Sequence, residues 1–396
     1  GAEGTLAFIS QVTLNTVPDP PLKTTGLVLF DSVDKTIQAL PMLIDTGADA
    51  VELLDDASLR TVRYLKTPLF DPKIIRTDMA GLLFEFQKYN QDSIDELVKN
   101  IPIELQKVGC VLSFGPTEDE ATRIQLWNLR KGLYPTVGAM REKGTSVITE
   151  DLCYHYNDLP EVIKELRIIC QKWRYDDSVI FGHAKEGNLH FAASMDFNSS
   201  DGVKRFDGLL KDMAELTVDK FNGSLKAEHG TGRNMAPFVE YEWGGELYQI
   251  MWKIKQNADP EGILNPDVLL TKDQKLHLKN LKPIPIVDDS LDLCVECGFC
   301  EPICPSAGLS LTPRQRIVIA RELRLNEKDT RINQKKLLED IDYNSNKTCA
   351  ADGLCEIMCP VNINTGNFVK TLRKDSHSKA GDWCVAWIQS HFKFTQ

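Results

Sequence analysis

The 396-residue chain has no apolar run approaching the roughly 20 residues that cross a bilayer. No n-region and h-region open it either, so no transmembrane segment is expected. Positive charge is in deficit: 46 Lys and Arg stand against 57 Asp and Glu, for a net charge of −11. That balance argues against nucleic acid or an anionic membrane surface as the main partner. No glycine-rich loop of the kind that cradles a pyrophosphate can be found. Histidine is scarce, at seven residues. The hydrophobic share of 42% and charged share of 26% are ordinary for a globular protein, and the length suits two or three domains.

What is present is concentrated. Seven of the 11 cysteines fall in two runs near the C-terminus. The first is Cys294, Cys297, Cys300 and Cys304-Pro305, spaced C-x2-C-x2-C-x3-C-P; the second is Cys349, Cys355 and Cys359-Pro360, with Asp352 where another cysteine would stand. Disulfides do not favour so tight a repeat, and structural zinc uses two separated CxxC knuckles. The first run has the spacing of two-cluster bacterial ferredoxins, in which the fourth cysteine of a run crosses to the other cluster. On that pairing Cys294, Cys297, Cys300 and Cys359 hold one iron–sulfur cluster, and Cys349, Cys355 and Cys304 hold the second. Asp352 stands at the remaining corner. A carboxylate is a hard ligand, and iron held by it is easily lost. The first cluster is therefore expected as 4Fe-4S, and the second as 3Fe-4S or as 4Fe-4S with a labile iron. The alternative is that Asp352-Gly353 is a turn and Cys384 supplies the corner. Such clusters move single electrons, so this is a redox protein. Cys110, Cys153, Cys170 and Cys384 are expected as buried thiols in a reducing cytoplasm.

The rest reads as an α+β arrangement, an antiparallel sheet covered on one face by helices. Strands are expected over 5–16, 27–30, 50–54 and 108–113, with a strand pair at 179–182 and 189–194. Helices are expected over 33–46, closed by Gly47, and over 118–131, 160–173 and 204–222. Residues 260–266 read as a loop, and Pro283, Pro285 and Asp288-Asp289 mark a linker. Beyond it, Thr312-Pro313 caps a helix in an all-α ferredoxin-like module. Gly1-Ala2-Glu3-Gly4-Thr5-Leu6 reads as the middle of a fold, so the chain is expected to be a piece of a longer protein.

The second chemical signal is Gly182-His183-Ala184-Lys185-Glu186-Gly187-Asn188-Leu189-His190, followed by Ala227-Glu228-His229-Gly230-Thr231-Gly232. Two imidazoles and a carboxylate suit a divalent metal, and a further histidine can act as a general base near neutral pH. Read from the residues alone, two loop histidines and a capping Glu are the plainer reading.

Both segments resemble the C-terminal cap domain of FAD-linked D-2-hydroxyacid dehydrogenases, which carries an H-x-G-D-G-N-x-H loop and an E-H-G-x-G loop. Lys185 and Glu186 depart from that pattern. The resemblance implies His183, His190 and Glu228 as ligands of a divalent metal, zinc (Zn) first, and His229 as the base. It implies Arg130, in a W-x-x-R-like segment, as catalytic and, with Asn188, substrate-binding; Tyr134 and Arg141 are further candidates. An ordinary surface salt bridge is the other reading of Arg130. Gly1, Glu3, Gly4 and Thr5 resemble the G-x-E-G-T-L strand of a p-cresol methylhydroxylase-type FAD domain, and Asn265 a loop that meets the flavin. The implied domains are an FAD-domain tail over 1–22, a substrate and metal-binding cap over 23–282, a two-cluster module over 283–378 and a tail over 379–396. The implied activity is FAD-dependent oxidation of a small 2-hydroxyacid, D-lactate first, with electrons leaving through the clusters to a quinone, cytochrome or carrier protein. The expected location is cytoplasmic, with peripheral attachment to the inner membrane left open. Glycolate or D-2-hydroxyglutarate oxidation is the alternative, as is a non-catalytic electron-transfer subunit.

Overall fold

The computed structural model describes residues 2–64, 68–326, 334–376 and 378–391. The chain divides into two compact units, Gly1–Val137 with Thr145–Pro283, and Gly138–Gly144 with Ile284–Gln396.

The first unit is built on one seven-stranded sheet: β1 (Leu22–Phe30), β2 (Ala50–Asp55), β3 (Ala80–Lys88), β4 (Leu112–Thr117), β5 (Ser146–Cys153), β6 (Val179–His183) and β7 (Asn188–Met195). Their spatial order is β4-β1-β3-β2-β6-β7-β5, with every pairing antiparallel. β2 and β6 join the two halves of the sheet and set Glu52 opposite His183. One face carries the main core. Val28 and Phe30 of β1 and Leu82, Phe84 and Phe86 of β3 meet the helices Val33–Asp45, Gln91–Val108, Leu159–Lys172 and Ser200–Glu215 there. Leu27 and Leu29 are buried too but lie outside that core; the helix Glu120–Lys131 packs on β1. The helices start where the chain offers caps. Ser32, Asn90, Asp119 and Ser199 each accept the amide three residues on, a contact worth about 1 kcal/mol.

Several boundaries differ from expectation. Residues 7–20 carry no regular structure, and Phe8, Val12 and Leu14 are exposed. The β-like alternation is real, but a strand is stabilised by its pairing, and none of the described strands pairs with this segment. The 108–113 stretch divides: a helix ends at Val108, Gly109 caps it at φ 91°, and β4 begins at Leu112. The helix expected from 204 starts at Ser200 behind its Ser199 cap and passes at Glu215 into a wide turn, Leu216–Lys220. Among the four outlying cysteines only Cys170 is buried; Cys110 and Cys153 are half-buried, and Cys384 is exposed. Cys384 sits on the helix Lys379–Ser390, where Trp383, Val385 and Trp387 are also exposed, so no core among the described residues encloses it.

The second unit is helical: Pro313–Leu325, Gln334–Ile341, Leu354–Met358, Thr365–Asp375 and Lys379–Ser390. Its small core joins Leu291, Ile317 and Ile363 to Cys294, Cys359 and Phe368. Thr312 and Gln315 form a capping box with Pro313 in the first turn. Arginines hold these segments by backbone carbonyls, Arg316 and Arg321 from buried positions and Arg373 from a half-buried one. Arg316 donates to the Ser345 carbonyl, Arg321 to that of Cys294 and Arg373 to that of Cys349. No helix of the described residues is long and apolar enough to cross a membrane.

Candidate active site and cluster sites

β6 ends on His183 and β7 carries His190, and the short connection between the strands folds them toward one another. That connection needs glycine at its last position. Gly187 has φ 70°, and a Cβ there would lie 1.8 Å from the Tyr154 carbonyl oxygen. The loop with Glu228 and His229 is brought in by Asp151 of β5. The buried Asp151 Oδ2 accepts the amides of Ala227, Glu228 and His229 at 3.0, 2.8 and 2.9 Å. Its Oδ1 accepts the Asn188 side-chain amide at 2.5 Å. As a result Glu228 Oε1 lies 2.9 Å from His183 Nε2, 3.0 Å from His190 Nε2 and 3.6 Å from His229 Nε2. The His190 and His229 rings stack with centroids 4.8 Å apart.

Two carboxylates of this site went unnoticed in the sequence. One is Asp151. The other is Glu52, a buried acid in the otherwise apolar run Val51–Leu54 of β2. Glu52 Oε1 is 2.5 Å from His183 Nδ1, and its Oε2 accepts from Arg130 Nε at 2.6 Å. Arg130 also lies 4.6 Å over the Phe181 ring. Its ion pair is thus an inward one, not a pair on the helix surface.

These contacts set opposite proton affinities. The Glu52 hydrogen bond holds a proton on His183 and lifts its pKa to about 9 against the effect of burial. Burial drives His190 down to about 4, with the nearby Arg130 charge adding to it. Burial acts to raise the Glu52 carboxyl, but the His183 hydrogen bond and the Arg130 charge outweigh it and hold it below the usual range.

The donor set fits a divalent cation. His183, His190 and Glu228 each place one donor atom within 4.8 Å of the others. His190 is held neutral, the state in which imidazole ligates, and Glu52 orients His183 as an outer carboxylate orients a ligating histidine. Asp151, His190 and His229 also converge within 4.8 Å, but Asp151 Oδ2 is already taken up by three amides.

The remaining site residues fall as follows. Asn188, expected at the substrate, is buried, and its amide donates to Asp151 and to the Leu152 carbonyl. Lys185 donates to the Ala48 carbonyl at 2.9 Å. Arg141 belongs to the second unit and forms a fully buried pair with Asp292. Glu3 accepts the amides of Thr231 and Gly232 at 2.6 and 2.9 Å, and Asn265 donates to the Glu3 carbonyl at 2.7 Å. Glu3, Asn265 and the loop after His229 thus form one set. Thr5 is buried, Gly4 adopts φ 74°, and Gly1 lies outside the described residues.

In the second unit, Cys304, Cys349, Cys355 and Asp352 line one cavity together with Arg316. Burial, with Cys294, Cys359 and Cys297 as electrostatic neighbours, pushes the Cys300 thiol up to about 12. Burial raises Cys294 and Cys359 as well. Such thiols are poor anions alone and good ligands once a metal displaces the proton.

An antiparallel sheet backed by helices, with two histidine loops at one site, defines the class, and comparison with known proteins agrees. Residues 19–269 match the family of FAD linked oxidases, C-terminal domain, and residues 290–363 match the 4Fe-4S dicluster domain. The chain belongs to the FAD-linked oxidase C-terminal family, joined here to a 4Fe-4S dicluster domain. It is 26% identical over 281 residues to glycolate oxidase subunit GlcD of Bacillus subtilis, covering 69% of this chain and 57% of that one. It is 25% identical over 278 residues to the probable mitochondrial D-lactate dehydrogenase of Danio rerio, covering 68% and 52%. It is 24% identical over 465 aligned positions to D-2-hydroxyglutarate dehydrogenase of Pantoea ananatis, covering 99% and 45%. The chain spans about half the length of these relatives.

Proposed function

We propose that this chain is the substrate-binding and electron-exporting part of an FAD-dependent 2-hydroxyacid dehydrogenase. One observation carries the reading: His183 Nε2 and His190 Nε2 converge on a single oxygen of Glu228, with His229 stacked against His190. His183, His190 and Glu228 would hold a divalent metal, zinc first, which supplies Lewis-acid polarisation of a substrate hydroxyl. FAD supplies a two-electron acceptor when bound. The chain's own residues do the rest. His229 is about half exposed and takes the hydroxyl proton. Asp151 fixes the backbone of the Glu228–His229 loop. Arg130, held through Nε by Glu52, offers its guanidinium to the substrate carboxylate. The seven cysteines of the two runs, with Asp352, would hold two iron–sulfur clusters that export single electrons to a quinone, cytochrome or carrier protein. A cytoplasmic setting, at the inner membrane or free of it, goes with this reading.

D-lactate is the first substrate proposed. D-2-hydroxyglutarate is the second, because the Pantoea relative aligns with 99% of this chain, cluster region included, whereas the Danio D-lactate relative aligns with 68%. Two measurements test the proposal. Metal analysis of anaerobically purified protein should find about one divalent metal beside roughly seven or eight irons; iron without that metal would favour a pure electron carrier. Turnover of the FAD-containing protein on D-lactate, D-2-hydroxyglutarate and glycolate should rank the substrates, and no turnover on any of them would overturn the assignment.

A further inference from the structure

We infer that Asp352 is the fourth protein ligand of the second cluster and makes one of its irons exchangeable. The inference rests on the iron–sulfur part of the reading above and is independent of the hydroxyacid site. The cavity that brings Cys304, Cys349 and Cys355 together has Asp352 in its wall. These are three thiols from two separate sequence runs, and the carboxylate is the further side chain in that wall with a metal-ligand atom. Asp352 is held there by its own loop. Ala351 and Gly353 both adopt positive φ, at 54° and 79°, and Asp352 Oδ1 accepts the Leu354 amide at 3.1 Å. That hydrogen bond uses one oxygen and leaves the other for iron. The turn and the ligand are therefore compatible roles for the same residue. Cys384, the alternative corner, sits on the helix Lys379–Ser390 and, unlike Asp352, does not line the cavity. The buried Arg316 stands on the thiol side, with Nη1 3.9 Å from Cys304 Sγ.

The chemistry follows from the donor set. Thiolate binds iron of a cluster firmly, while a carboxylate is a hard, weaker partner for it. A one-electron oxidant should therefore release the carboxylate-held iron: a 4Fe-4S cluster of charge 2+ gives a 3Fe-4S cluster of charge 1+, one Fe²⁺ and one electron, which the oxidant takes. Reduction in the presence of Fe²⁺ should reverse it. The first cluster, held by Cys294, Cys297, Cys300 and Cys359, has thiolate at every corner and should resist.

The test uses the whole chain, reconstituted anaerobically with iron and sulfide and then titrated with ferricyanide. Iron is counted and electron paramagnetic resonance followed. The wild type should fall from about eight to about seven irons per chain and gain the signal of one three-iron cluster, erased by dithionite with added Fe²⁺. Asp352→Cys should keep all its iron under the same oxidant and show no such signal. Asp352→Asn should lose the iron before oxidant is added, and Cys384→Ser should behave as wild type. If Asp352→Cys releases iron as the wild type does, or if Cys384→Ser is the variant that loses the second cluster, the assignment fails. None of these readouts depends on turnover or on the histidine site, so they can fail while the dehydrogenase reading stands.

Discussion

Replacing Asp151 should weaken metal binding although Asp151 is not among the proposed ligands. Its carboxylate is wholly buried; one oxygen accepts three consecutive amides, and the other accepts Asn188. Hydrogen bonds to a charged group contribute about 1.5–3 kcal/mol each. These contacts hold the loop that presents Glu228 and His229. Asp151→Asn keeps the shape but removes the charge, and whichever way the new amide turns, an N–H group faces either Asn188 or the loop amides. Loss of an outer partner of this kind typically costs about 10–100-fold in metal affinity, or about 1.4–2.8 kcal/mol. Asp151→Ala strands three amides and should cost more. The assay is zinc competition against a chromophoric chelator at neutral pH, with iron content as a check that the second unit is intact. Asp196→Asn, a substitution in a half-buried cap ahead of the helix Ser200–Glu215, should leave affinity unchanged. An Asp151→Asn affinity within about twofold of wild type would refute the claim that this carboxylate builds the site.

Metal affinity should rise with pH, because Nε2 of His183 must be free of its proton and His183 is held to about 9. The rise is about tenfold per pH unit below that value and flattens above it, and a flat curve between neutral pH and 9 would contradict it. In the metal-free protein the folded-state pKa lies above the ordinary 6.5, so His183 adds stability that is complete below about pH 6.5 and is lost as pH climbs through about 9; denaturant midpoints across that range would follow it. His229→Ala should nearly abolish turnover of the FAD-containing protein while metal and iron contents hold, and normal turnover would remove it as the base. Gly187→Ala should cost at least about 2 kcal/mol, from a positive φ and a backbone clash, read as a lower unfolding midpoint and loss of zinc binding together.

The parts of this molecule that were legible in the sequence are those written locally. The histidine loop reads well because a tight strand connection brings His183 and His190 together within eight residues. The Thr312 capping box and the ends of the helix Val33–Asp45 are equally local. Glu52 and Asp151 were missed for the opposite reason. Glu52 meets His183 across 131 positions, and Asp151 meets the His229 amide across 78; a lone acid in a strand signals nothing until the order of the sheet is known. β3 was missed because it opens on Ala80–Leu83, a buried run without a polar residue, which shows no alternation to read. The segment 7–20 shows the converse error, an alternation with no partner strand among the described residues.

The two histidines also say something about substrate that neither loop says alone. Their rings are 5.2 Å apart, yet one is driven to hold a proton and the other to release it. The difference lies in their second partners. His183 faces the buried carboxylate of Glu52, while His190 sits among apolar strands with its Nδ1 unbonded and 3.7 Å from Asp151. Without metal at neutral pH, the proton on His183 occupies the place between Glu52 and Glu228 and balances Glu228. Exchanging that proton for a divalent cation raises the charge of the trio by one unit. On the proposed ligation, the trio therefore presents a net positive charge only in the metal-loaded state. An anionic substrate should bind weakly to the metal-free protein even with Arg130 in place, and the affinities for carboxylate and for metal should rise together.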